Sequence, residues 1–253
     1  MFPILRYILK NGLRDRLYVG LFIIIAIALG ISVFLGSTML VEQNQSSIVF
    51  AVASIRSILS IGMILFVVIN ISRAFDNKEI EFILSKSISR EQFILAYLIG
   101  FFLANLIILL PIYLLILIAN GANKLGVSYW FITLIFENFI VISFALLSSL
   151  ILKNSFTAIL ASIVFYALSR LMGMFVMAIE LPQDYAVAKN NFLATGLKIL
   201  SVIFPRLDLF AQSSWTIYGV QDNGILQIIF IQFFIYIALM IFMAFHDFKK
   251  KQF

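Results

Sequence analysis

The chain has 253 residues, 63% of them hydrophobic and only 12% charged, with a mean hydropathy of +1.09. So much apolar surface, twenty-seven phenylalanines included, exceeds what a water-soluble core of this size encloses, which excludes a water-soluble protein and predicts an all-α integral membrane protein. The lack of cysteine excludes a disulfide framework and thiolate metal ligation, and the net charge of +6 has to be read against membrane topology rather than as a nucleic-acid signal.

Residues 2–16 are predicted to form an interfacial helix. Phe2, Leu5, Leu9 and Leu13 share one face, while Arg6, Lys10 and Arg14 form an i, i+4 stripe on another. Six apolar runs then have the length to cross about 30 Å of hydrocarbon as helices: 17–38, 49–72, 92–119, 128–152, 156–180 and 225–245. The first follows basic residues, as a signal peptide would, but its apolar stretch from Leu17 to Leu35 is too long for an h-region and no A-x-A site follows it. It is therefore read as a true span. Twelve Lys and Arg residues fall on one side of the spans: Arg6, Lys10, Arg14, Arg16, Arg73, Lys78, Lys86, Arg90, Lys153 and Lys249 to Lys251. Lys124, Lys189, Lys198 and Arg206 fall on the other. An even number of spans puts both termini on one side, and the positive-inside rule makes that side cytoplasmic.

The connector between the second and third spans holds much of the chain's charge, with Arg73, Asp76, Lys78, Glu79, Glu81, Lys86, Arg90 and Glu91 in one short stretch. Ile80, Ile83 and Leu84 keep i, i+3, i+4 spacing, which predicts a short amphipathic helix at the membrane face. A loop that only fixes topology needs cations alone. A mixture of signs suits docking on a complementary protein surface.

Three ionisable residues fall inside the spans, where a charge costs about 2.5–3.5 kcal/mol on insertion scales. Arg56 is expected to snorkel to the outer headgroups. Glu137 and Arg170 lie at similar depth in the fourth and fifth spans and are expected to form a buried ion pair. In the third span, Pro111 is expected to kink the helix, and Asn105 is a polar residue within hydrocarbon. Met172, Met174 and Met177 suggest Cu(I) by their chemistry, but their offsets do not share a helical face, so they are read as packing. In the outer segment 181–224, Leu193, Leu197, Leu200 and Phe204 keep helical spacing up to Pro205, and the rings of Trp215 and Tyr218 are expected at the outer interface.

Neither a G-x-x-x-x-G-K-[ST] motif nor an H-E-x-x-H or G-x-S-x-G motif occurs. The single histidine, His246, stands beside Asp247 at the inner end of the last span and reads as an interfacial residue. No catalytic, cofactor-binding or metal-binding residue is expected, and no enzymatic activity in this chain.

Residues 78–95, K-E-I-E-F-I-L-S-K-S-I-S-R-E-Q-F-I-L, resemble the loop E-x-G-T-L-E-x-L-L-x-x-P-I-S-R of ABC-2 type transporter permeases. Glu81, Ile83, Leu84, Ile88, Ser89 and Arg90 match; Lys78-Glu79 stands where Gly-Thr is usual, and Ser87 replaces the proline. Six spans in about 250 residues, the N-terminal arm and the outer segment extend the resemblance over the whole chain, which is most similar to permeases grouped with multicopper-enzyme maturation.

The resemblance implies one transmembrane permease domain over residues 1–253, with an elbow helix in the 2–16 arm, a coupling helix at 76–91 and capping helices in 181–224. It further implies an exporter in a bacterial inner membrane, moving an unidentified substrate with ATP and Mg bound to a separate ATPase. That ATPase, present in two copies, would dock on Glu79, Glu81, Ile83, Leu84, Ser89 and Arg90. A second permease copy or a related permease would pack through the first and fifth spans, at small residues such as Gly20, Gly30 and Ser162. An ion-coupled secondary transporter or channel is the alternative, and neighbouring-gene content separates the two.

Overall fold

The computed structural model describes residues 5–10, 15–40, 42–85, 89–152, 154–180, 195–196, 199, 203–220 and 223–250. Hydrocarbon offers a backbone N–H or C=O no partner, so each apolar run satisfies its own groups by closing into a helix. The elements are α1 (residues 5–10), α2 (Arg16–Ser37), α3 (Gln43–Asp76), α4 (Glu79–Leu84), α5 (Arg90–Leu117), α6 (Lys124–Ile151), α7 (Ser155–Glu180), α8 (Trp215–Tyr218) and α9 (Asn223–Lys250). Six of them, α2, α3, α5, α6, α7 and α9, are long and apolar enough to cross a membrane. Among the described residues there is no strand.

Polar residues set the boundaries. The Asp15 carboxylate accepts from the Leu17 amide at 3.1 Å and opens α2. Asn123 does the same for α6 through the Gly126 amide. Ser89 and Gln92 form a complete capping box at the head of α5. Between α3 and α4, Lys78 adopts a left-handed conformation (φ 55°) that turns the chain off the α3 axis. With 34 residues, α3 is about 51 Å long at 1.5 Å per residue and overruns the expected 49–72 span at both ends.

The central helix is α6, which packs against α3, α5, α7, α8 and α9, while α2 packs chiefly on α3. Stacked rings join the layers, Phe136 on Phe233 and Phe144 on Phe165, and the Tyr18 hydroxyl donates to the Ala104 carbonyl at 2.8 Å. Both α2 and α9 keep broad apolar faces exposed, at Ile23, Ile27 and Phe34 and at Phe234, Ile235 and Phe242. Such faces are a liability in water but match lipid tails.

Several expectations need correction. In the N-terminal arm the described helix covers residues 5–10 and centres on Ile8, which seats over Gly100 of α5, with Leu5 and Leu9 half-buried beside it. Phe2 and Leu13 lie outside the described residues. Within the stretch expected as one helix over 76–91, α4 spans six residues: the left-handed Lys78 separates it from α3, the Ser89 cap begins α5, and residues 86–88 lie outside the described residues. Met172 is fully buried, but Met174 and Met177 are about 70% exposed: packing holds for the first and not for the other two. Ser162 is buried and shares a 2.8 Å hydrogen bond with Ser148, so it faces α6 and not an external surface. Leu193, Leu197 and Leu200 fall outside the described residues.

Candidate functional site

The charged side chains gather at two levels. At one end of the bundle, the basic face, the ends of the helices are tied by ion pairs. Arg73 meets Asp15 at 2.8 Å and Lys249 meets Glu91 at 2.6 Å. Here Ile80, 1% exposed, anchors α4 on the bundle, with Ile83 half-buried beside it. The Tyr7 hydroxyl donates to Glu79 Oε2 at 3.1 Å. Burial, with a contribution from the Glu79 charge, raises the Tyr7 pKa above its usual value. Arg90 Nη1 donates to the carbonyls of Phe248 and Lys249 at 3.0 and 2.9 Å, so it caps the end of α9. Of the residues marked for docking, Glu79, Ser89 and Arg90 thus also have roles inside the chain. Glu81 and Leu84 lie in the backbone of α4, and their side chains are outside the described set.

The second level lies within the spans. Arg56 of α3 is 3% exposed and forms a 2.7 Å ion pair with Glu137 of α6, which is fully buried. The snorkelling expected of Arg56 does not occur, and the partner expected for Glu137 is corrected. Arg170 makes no ion pair with Glu137 among the described residues; its Nη1 donates to the Leu207 carbonyl at 3.2 Å instead. Arg56 uses every face of its guanidinium fork: Nε on Glu137, Nη1 on the Ala211 carbonyl at 2.9 Å and Nη2 on the Leu207 carbonyl at 2.6 Å. A planar group with divergent donors is the side chain suited to this.

These contacts hold residues 207–216, which precede α9, inside the bundle. Leu207, Phe210, Ala211 and Thr216 are fully buried. The Leu207 amide donates to the Ser169 carbonyl, the Ala211 amide to Thr133 Oγ1 at 3.1 Å, and the Asn123 amide to the Thr216 carbonyl at 2.8 Å. Gly126 is required for this, because a Cβ there would overlap the Trp215 carbonyl oxygen. Trp215, expected at the membrane interface, is consequently 4% exposed, whereas Tyr218 is 64% exposed. Next to the clasp, Arg206 pairs with Asp208 at 3.0 Å over Gly173, and Ser60 donates to Asn138 Oδ1 at 3.0 Å.

This arrangement holds an inserted segment by hydrogen bonds to its backbone and an ion pair behind them. No group of three or more His, Cys, Asp or Glu side chains able to hold a metal occurs among the described residues. The sequence identified Glu137 and Arg170 as charges at one depth but missed the role of Arg56. Its signal was a cation within an apolar run that extends further at its start than expected.

No protein-family model and no curated protein matches the chain.

Proposed function

We propose that this chain is the permease subunit of an ABC-2 type exporter, set in a bacterial cytoplasmic membrane with both termini inside, and driven by ATP hydrolysed with Mg on a separate ATPase subunit. The observation that carries the reading is α4. The stretch with the permease-like pattern is a discrete helix, cut from α3 by Lys78 and from α5 by the Ser89 cap and anchored on the bundle end by Ile80. Such an element can pass a push from a docked protein to α3 and α5 together. At the other end, the segment clasped by Arg56 closes the bundle with polar contacts that can be exchanged for water. Two permeases and two ATPases make the working assembly. The exposed apolar face of α2, with open space around Gly20 and Gly30, supports close approach of a second helix in lipid.

The test uses Glu81→Lys, since reversing Arg90 would also release the end of α9. Co-expressed with a P-loop ATPase partner, the variant is expected to insert normally but no longer co-purify, and ATP-dependent export is expected to be lost. Normal co-purification and transport in the variant would overturn the docking role. Transport by the permease alone, driven by an ion gradient in liposomes, would favour the secondary-transporter reading.

A further inference from the structure

On the basic face, a cleft of about 460 Å³ opens between the start of α2, the end of α3 and the start of α4, lined by Asp15, Arg16, Leu17, Asn70, Arg73, Ala74, Asn77 and Glu79. Its volume lies in the range of about 300–1,000 Å³ usual for small-molecule sites. Among the described residues, the charges lining it are two guanidiniums and two carboxylates, which balance. They are also separated in role. Asp15 is fully engaged, with Oδ1 on the Leu17 amide and Oδ2 on Arg73. Glu79 spends only Oε2, on Tyr7. Arg73 keeps a half-exposed side chain despite its ion pair, and Arg16 is exposed.

The cleft lies at the start of α2 and the end of α3, where the apolar runs of these two helices give way to charged residues. One turn further along α2 begins an exposed apolar face, Val19, Phe22 and Ile23. A polar cleft continued by an apolar strip has the shape of a lipid. We propose that this cleft binds the headgroup of a zwitterionic phospholipid with a primary ammonium, of the phosphatidylethanolamine type. Arg16 and Arg73 receive its phosphate, Glu79 and Asn77 receive its ammonium, and its acyl chains follow α2.

Charge and hydrogen bonding select this headgroup. An anionic headgroup without an ammonium leaves Glu79 facing a phosphate, whereas a zwitterion answers both signs. A primary ammonium brings three donors to carboxylate and amide oxygens. A trimethylammonium brings none, and among the described residues no aromatic ring lines the cleft to hold it by cation–π contact. Guanidinium is the group best matched to phosphate oxygens. The site is independent of what the protein transports.

The experiment is native mass spectrometry of the full-length protein in detergent, with phosphatidylethanolamine, phosphatidylcholine and phosphatidylglycerol of matched chains as probes. Wild-type protein is expected to retain phosphatidylethanolamine about tenfold better than either of the others. Glu79→Gln should reduce that preference over phosphatidylcholine to near unity while retaining both lipids. Arg16→Gln, which breaks no contact of the fold, should weaken binding of all three. Equal retention of the three lipids by wild-type protein, preference for phosphatidylglycerol, or an unchanged preference in Glu79→Gln would overturn the proposal. Inorganic phosphate at millimolar concentration should leave the lipid bound. Displacement by phosphate alone would show a simple anion site and would overturn it equally.

Discussion

Replacing Arg56 should be the most damaging single change in the bundle, and the amount can be worked from its contacts. Arg56→Met removes the partner of a fully buried carboxylate, which costs about 3–5 kcal/mol when one member of a buried pair is lost. It also frees two carbonyls. That of Leu207 keeps Arg170, but that of Ala211 is left without its donor, adding about 1–3 kcal/mol. The total, about 4–8 kcal/mol, rivals the stability of a whole domain. Changing Glu137 to Leu in the same chain removes the stranded charge, so the double variant should recover all but the Ala211 term, about 1–3 kcal/mol. A double-mutant cycle by denaturant unfolding in detergent measures this. The coupling between positions 56 and 137 is expected to be about 3–5 kcal/mol, and that between 137 and 170 much smaller, because those two form no ion pair. Additive effects at 56 and 137 together with strong coupling at 137 and 170 would refute the pairing.

Gly126→Val should push the Trp215 carbonyl away and speed hydrogen exchange across residues 207–219 while leaving α2 and α5 protected; unchanged protection would show that the segment does not depend on this close approach. Ser89→Ala breaks the capping box at the head of α5 and should cost about 1 kcal/mol, while Ser89→Asp should retain most of it, as read from unfolding midpoints in detergent.

Composition and run length alone determined the solvent, the helical class and the number of spans, because each is a property summed along one stretch of chain. A run of apolar residues crosses hydrocarbon whatever its neighbours are, and its backbone has no other way to satisfy its groups. The caps at Asp15 and Ser89 are likewise local to one stretch, although the helix expected over 76–91 ran through Ser89. Contacts between helices are not local. Glu137 and Arg170 share a depth, but whether two side chains meet depends on the rotation of each helix about its axis. Successive residues of a helix turn by about 100°, so depth alone does not choose between Arg170 and Arg56. The ring of Trp215 favours an interface by its own chemistry, yet the lack of a side chain at Gly126 lets α8 approach α6 and bury it. The segment between α7 and α9 has few apolar runs long enough to show its depth. The groups that draw it inward, the donor Arg56 and the acceptors Thr133 and Ser169, come from three separate spans. Only packing α3, α6 and α7 together puts them at one level, and so the clasp exists in the tertiary structure and in no single stretch of the sequence.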